Sequence, residues 1–149
     1  MRKLTRIAAV IMIGAIALSA AACKKKTYMK ITPDEFSRKL KADGYTVEEG
    51  TEPADHVIRN LAGAKCGVVV AYSMYDSVDI AQDYWDELKE ESQTAYDAGA
   101  LTTCKIKDHE LHIADPSVYS ITVYVDEMFI VIISADKSDA EDCKKVLGY

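Results

Sequence analysis

Two apolar segments near the C-terminal end of the chain constrain its fold most strongly. Residues 118–125 and 128–134 are rich in valine, isoleucine and tyrosine, and only Asp126 and Glu127 separate them. A two-residue connection between β-prone segments predicts a tight hairpin, in which the two strands pair antiparallel. The chain is therefore expected to contain an antiparallel sheet.

Four further segments have the pattern of strands. Each is rich in apolar or alternating residues and is bounded by turn residues; they are residues 45–49, 65–75, 101–107 and 110–114. The segment 65–75 is apolar on both of its alternating faces, which predicts an interior strand. The segment 45–49 is short and is expected at an edge of the sheet.

Three segments have a helix start signal, an apolar stripe at helical spacing and a glycine stop. They lie between Thr32 and Gly44, over 76–97, and between Ser138 and Gly148. Residues 51–63, with an early proline and a glycine at the end, suggest two or three further helical turns. The predicted class is α+β: a two-layer sandwich with a mostly antiparallel sheet and helices packed on one face.

The N-terminus has the three parts of a secretory signal peptide. Three basic residues lie among the first six, an apolar run follows over 7–18, and small residues precede Cys23. Two other interpretations remain open. Ala20-Ala21-Ala22 also satisfies the cleavage rule for ordinary secretion, and the uncharged run 7–23 approaches the roughly 20 residues of a spanning anchor.

With Cys23 at its end, this segment resembles the bacterial lipoprotein signal, in which small residues precede an invariant cysteine. Ala20 stands where that pattern usually has leucine. The resemblance implies that Cys23 receives a diacylglyceryl group and that residues 1–22 are removed. Residues 23–30 would then form a basic tether and residues 31–149 a single domain, held on the extracytoplasmic face of the cell membrane.

The domain itself resembles small bacterial membrane lipoproteins of uncharacterised function. The resemblance rests on the signal, on Thr-Pro-Asp-Glu-Phe at 32–36, on Gly44-Tyr45 and on the closing Leu-Gly-Tyr at 147–149. It implies no activity. The function expected from the sequence is a small binding or structural module at the cell envelope.

The charge balance outside the leader is strongly acidic. The chain has 18 basic and 24 acidic residues, and six of the basic ones precede Thr27. From Thr27 onward 12 basic residues therefore face 24 acidic ones, a net charge of −12. Such a domain repels a polyanion, so we expect no nucleic-acid partner. Lys24, Lys25 and Lys26 would either lie at the lipid headgroups or form a solvated leader.

The predicted helix over 76–97 carries an acidic stripe. At 100° per residue the stripe consists of Asp79, Asp83, Asp86, Glu90 and Asp97, and Lys89 is the basic residue of this helix. Solvated helices usually interleave both signs at i,i+4. The stripe is therefore either an ordinary soluble face or a contact for an envelope protein or for divalent cations.

Motifs for catalysis or cofactor binding are absent from the sequence. It has no G-x-S-x-G, no glycine-rich phosphate loop and no C-x-x-C, so no cofactor is expected. His109, Glu110 and His112 have the wrong spacing for a helical zinc motif and suggest a polar turn instead of a metal site. A small envelope enzyme acting on cell-wall or peptide substrates is the alternative function.

Three cysteines remain after Cys23. Cys66, Cys104 and Cys143 occupy apolar-periodic positions, which favours buried free thiols. An extracytoplasmic location also permits a disulfide, with one thiol left over. If a disulfide forms, Cys66 and Cys104 are the expected pair, from strand to strand.

Overall fold

A computed structural model describes residues 27–50 and 54–149. Its described part contains seven strands in one sheet, which run β1 (Thr46–Glu49), β2 (Val57–Lys65), β3 (Val68–Tyr75), β4 (Thr103–Ile106), β5 (Glu110–Ala114), β6 (Tyr119–Val125) and β7 (Met128–Ser134). Three helices accompany them: α1 (Pro33–Ala42), α2 (Val78–Asp97) and α3 (Lys137–Leu147). The strand order is β1-β2-β3-β7-β6-β5-β4, and every neighbouring pair is antiparallel. The α+β class and the antiparallel sheet are confirmed.

The central hairpin forms where the sequence predicts it. Val125 pairs with Met128, and Asp126 takes a positive φ of 54° in the turn between β6 and β7. All seven residues of β6 are buried. These two strands therefore lie inside the sheet, where both of their faces need an apolar cover.

The two faces of the sheet are covered by different helices. On one face α1 and α3 close the larger core, with Phe36, Leu40 and Leu147 fully buried. On the other face Trp85 of α2 packs against Tyr124 and Phe129, with ring centroids 5.2 and 6.2 Å away. This layering differs from the expected packing of the helices on one face, because β6 and β7 present large apolar side chains on both sides.

The segment 51–63 was expected to contain helical turns, and that expectation is wrong for the part that the structure describes. Residues from Val57 onward form β2, which pairs with β1 and β3. Val57 and Leu61 are four residues apart, and this even spacing fits one side of a strand as well as one face of a helix. A β-bulge between Val57 and Arg59 also interrupts the regular alternation of side chains along β2.

Gly63 lies at a close approach between α1 and the sheet. A Cβ atom there would lie 2.9 Å from Leu40 Cδ1 and 3.0 Å from Val70 Cγ1, both in the buried core. The glycine therefore belongs to a close contact between helix and strand. Among the described residues, no helix is both long enough and apolar enough to cross a membrane.

We predict that Gly63→Ala lowers the free energy of unfolding by about 1–3 kcal/mol, because a methyl group there overpacks a filled core. Urea denaturation followed by circular dichroism measures the change. Ala62→Val is the matched control, since Ala62 is exposed on the opposite face of the same strand and should change the stability by no more than about 0.5 kcal/mol. Equal stabilities for Gly63→Ala and the wild type would contradict the close approach.

Candidate functional site

Strand β5 directs two titratable side chains into the interior. Glu110 and His112 are two residues apart, so they share the face that α3 covers, opposite Val123 and Ile121 of β6. Glu110 is 1% exposed and His112 is 5% exposed. Buried acidic and imidazole groups need partners, because an unpaired charge in the interior is very costly.

His112 links a carboxylate to a phenol. Its Nε2 lies 2.8 Å from Glu110 Oε2, and its Nδ1 lies 2.8 Å from the Tyr119 hydroxyl. An ionised carboxylate can only accept, so Nε2 carries the hydrogen and donates a hydrogen bond to Glu110. In the neutral tautomer Nδ1 then accepts from Tyr119, which fixes the orientation of the ring.

Helix α3 supplies the opposite charge. Lys144 Nζ lies 3.3 Å from both carboxylate oxygens of Glu110 and 2.9 Å from Glu141 Oε2. Glu141 Oε1 in turn lies 3.6 Å from His112 Nδ1. We refer to Glu110, His112, Tyr119, Glu141 and Lys144 as the ionic cluster; it joins β5 and β6 to α3.

The pKa values in the ionic cluster follow from burial and pairing. Burial alone would raise the pKa of Glu110, but hydrogen bonds from His112 and Tyr28 and the Lys144 ammonium hold it well below its usual range. Burial would also raise the pKa of Glu141, but the hydrogen bond from Lys144 and its positive charge outweigh burial and lower this pKa. Burial and the two carboxylates raise the pKa of Tyr119. Both carboxylates are therefore ionised near neutral pH.

The segment before α1 packs against the ionic cluster. Tyr28 hydrogen-bonds to Glu110, and burial and this bond raise the pKa of the Tyr28 hydroxyl. Its ring stacks on Tyr149, with centroids 6.0 Å apart, and lies 5.0 Å from the ring of His109. Tyr28 thus contacts both the start of β5 and Tyr149, two residues beyond the end of α3.

Three further contacts hold the residues that follow Tyr28; we refer to residues 28–31 as the strap. The Tyr149 hydroxyl donates to the carbonyl of Met29 at 2.6 Å, and the Tyr72 hydroxyl donates to the carbonyl of Ile31 at 3.0 Å. Lys30 pairs with Glu127 in the β6–β7 turn. The tether expected over 23–30 therefore packs on the domain at least from Tyr28 onward.

Four members of the ionic cluster, Glu110, His112, Tyr119 and Lys144, are buried, whereas the Glu141 side chain is 29% exposed. Surface cavities of about 340 to 500 Å³ lie on the described part of the chain; Glu141 lines one of about 500 Å³, and Glu110, His112 and Lys144 line none of these. The arrangement can hold the strap on the domain, because Tyr28 of the strap is hydrogen-bonded to the buried Glu110. Chemistry on a substrate would first require the strap to leave Glu110.

The histidines do not converge on a metal. His109 Nδ1 lies 2.9 Å from the carbonyl of Tyr124, and His56 Nδ1 lies 3.2 Å from Asp76. Within residues 27–50 and 54–149, no group of three or more His, Cys, Asp or Glu side chains has an arrangement that could hold a metal ion. The sequence predicted a polar turn at His109, Glu110 and His112. His109 precedes β5 and fits this prediction, whereas Glu110 and His112 lie buried within β5.

The acidic stripe lies on the outer side of α2. Asp79, Asp83, Asp86 and Glu90 are all exposed. Lys89 Nζ pairs with Asp86 at 2.7 Å, and this hydrogen bond, with a second from Gln82, lowers the pKa of Asp86. The predicted geometry of the stripe is therefore present, on a face that no described element covers.

The cysteines differ from one another in burial. Cys143 is buried, Cys104 is half-buried and Cys66 is exposed, and all three are free. The expectation of buried thiols is thus met only by Cys143. The expected Cys66–Cys104 disulfide is wrong for this fold: Cys66 precedes β3 and Cys104 lies on β4, four strands away or about 19 Å at 4.8 Å per strand. A disulfide requires Cα atoms within about 7 Å. Cys23 lies outside the described residues.

Sequence reasoning missed the ionic cluster because β5 has an ordinary alternating pattern. Glu110 and His112 alternate with Leu111 and Ile113, which is typical of a strand with one solvated face. The signal that could have revealed the cluster is Lys144. It falls in the buried stripe of α3, and a lysine in an apolar stripe needs a buried partner of opposite charge.

Comparisons with known proteins leave the chain without an assigned family. No family model matches the sequence, and no curated protein matches it. Among solved structures, the crystal structure of a GTP binding regulator from Thermotoga maritima is similar, with 11% sequence identity and a TM-score of 0.48. The match covers 78% of this chain and 84% of that chain. A likeness this distant carries no argument about function.

We predict that Glu110→Gln destabilises the protein by about 3 kcal/mol near neutral pH, because Lys144 loses one buried partner. This is the low end of what a broken buried pair costs, since Lys144 keeps Glu141 as a partner at 2.9 Å. The folded pKa of Glu110 lies below its unfolded value. Its stabilisation is therefore present above the unfolded value of about 4.3 and is lost as the pH falls through the folded pKa.

Denaturation by urea at a series of pH values measures this difference. The stability curves of the wild type and of Glu110→Gln should converge as the solution is acidified. Glu90→Gln is the control, because Glu90 is exposed on α2 and should follow the wild type at every pH. Parallel curves for Glu110→Gln and the wild type would contradict an ionised Glu110 in the interior.

Proposed function

We propose that the protein is a lipid-anchored extracytoplasmic lipoprotein whose domain is a small binding or structural module. The basic start, the apolar run and the small residues before Cys23 support the anchor. The single structural observation that supports the module is the strap: the residues next to the tether are fastened to a closed domain by Tyr72, Glu110, Glu127 and Tyr149.

The strap limits how far the domain can stand from its anchor. Only five residues lead from Cys23 to Tyr28, and a fully extended chain of that length spans about 17 Å. Acyl chains on Cys23 would therefore hold Tyr28, His109 and the β6–β7 turn close to the headgroups. In this proposal the module presents one fixed end to the membrane and the rest of its surface to the envelope.

The remaining surface is acidic, and we assign its partner contact to the stripe on α2. Asp79, Asp83 and Glu90 are exposed, and Lys89 neutralises only Asp86. A cationic envelope protein or divalent ions would complement this face. The module is preferred to a small envelope enzyme because the groups best suited to acid–base chemistry, Glu110 and His112, are buried beneath the strap.

We predict that Cys23→Ser either releases the protein to the medium or leaves it as the unprocessed precursor. Two acyl chains give stable membrane residence, because burial contributes about 0.8 kcal/mol per methylene and a single chain binds only marginally. Membrane fractionation and gel mobility measure the outcome. Cys66→Ser is the matched control, since an exposed thiol in the folded domain should not affect anchoring. A Cys23→Ser protein that fractionates and migrates like the wild type would rule out the lipoprotein assignment.

A further inference from the structure

A cavity of about 340 Å³ separates the β2–β3 turn from α3, and two cysteines line it. Cys66 lies in the turn and is exposed, whereas Cys143 lies on α3 and is 1% exposed. Asp43, Tyr45 and Lys65 form part of the same wall. The two cysteines therefore border one cavity, although they are far apart in the sequence.

The position of Cys104 leaves Cys66 and Cys143 as the candidate pair for a disulfide. Cys104 lies on β4, the last strand of the sheet, on the face that packs against α2. The cavity lies beside α3, on the opposite face. Once Cys23 is acylated, Cys66 and Cys143 are the two cysteines that face a common space.

The two thiols have different surroundings. Cys66 has a φ of 46° and Gly67 a φ of 83°, as in a two-residue type I′ hairpin turn, and space around Gly67 is open. A disulfide-bearing partner can therefore reach Cys66. Cys143 accepts a hydrogen bond from the Tyr45 hydroxyl, and burial raises the pKa of its thiol, although Lys65 opposes this shift.

We propose that Cys66 and Cys143 are a redox pair that closes to a disulfide when Cys66 meets an external disulfide, such as that of an oxidised thiol oxidoreductase. The proposal rests on the extracytoplasmic location proposed above, because structural disulfides persist in oxidising compartments. Closure would join the β2–β3 turn to α3 and occupy the cavity between them.

The exchange proceeds in two balanced steps. The Cys66 thiolate attacks one sulfur of the external disulfide, a mixed disulfide forms, and one thiolate leaves. The Cys143 thiolate then attacks the Cys66 sulfur, the Cys66–Cys143 bond forms, and the second external thiolate leaves. The two protein thiols lose two protons and two electrons in total, and the external disulfide is reduced to two thiols.

The test uses the full chain purified from membranes in detergent, first reduced and then treated with oxidised glutathione. Free thiols are blocked with N-ethylmaleimide under denaturing conditions, and the peptides are mapped by mass spectrometry. We expect a Cys66–Cys143 peptide pair in most molecules and a maleimide adduct on Cys104. The link should be lost completely in Cys66→Ser, whose exposed position leaves folding intact, and retained in the control Cys104→Ser.

Three results would overturn the proposal: maleimide on both Cys66 and Cys143, a stable glutathione adduct on Cys66 that does not resolve, or a link that includes Cys104. The same map examines the anchor separately. An acylated Cys23 carries no maleimide, whereas a labelled Cys23 would count against the lipoprotein assignment and leave the result for the thiol pair unaffected.

Discussion

The buried interaction of Glu110 with Lys144 and His112 is the constraint on which the rest of the structure depends. Each ion alone would be costly to bury, and removal of one partner from a buried pair typically costs about 3–5 kcal/mol. The 3.3 Å contacts between Glu110 and Lys144 join β5 to α3, and the 2.8 Å bond from His112 gives the carboxylate a further partner. Position and protonation are therefore coupled at this site: α3 must lie over β5, and Glu110 must stay ionised.

The strap extends this coupling to the N-terminal side of the chain. Tyr28 is hydrogen-bonded to Glu110 and stacked on Tyr149, so the residues nearest the proposed anchor contact the charges that hold α3 on the sheet. Without these contacts a short tether would let the domain rotate freely at the membrane. In the proposed lipoprotein, these contacts would give the domain one preferred end towards its attachment point, as a module that presents a defined surface requires.

Much of the fold could be predicted from the sequence because its strongest signals are local. The β6–β7 hairpin needs only Asp126 and Glu127 between two apolar runs, and the helix start predicted near Thr32 is observed, with a capping box formed by Thr32 and Glu35. The segment from Val57 was misassigned because a spacing of four residues suits helix and strand alike. The side of the sheet that α2 covers, and the burial of Glu110, depend on long-range packing that local periodicity does not encode. Lys144 was the one local sign of the ionic cluster.

The central claim is that the strap and the ionic cluster form one energetic unit. A double-mutant cycle with Tyr28→Phe and Glu110→Gln tests it directly, because the first substitution removes the hydrogen-bond donor, the second removes the charge of the acceptor, and both change the side-chain volume little. Urea denaturation of the wild type, both single variants and the double variant gives the coupling free energy. The account predicts a coupling of about 0.5–3 kcal/mol, as found for residues within one hydrogen-bond network. Additive effects, with a coupling smaller than about 0.3 kcal/mol, would show that the strap rests on the domain independently of the charges beneath it.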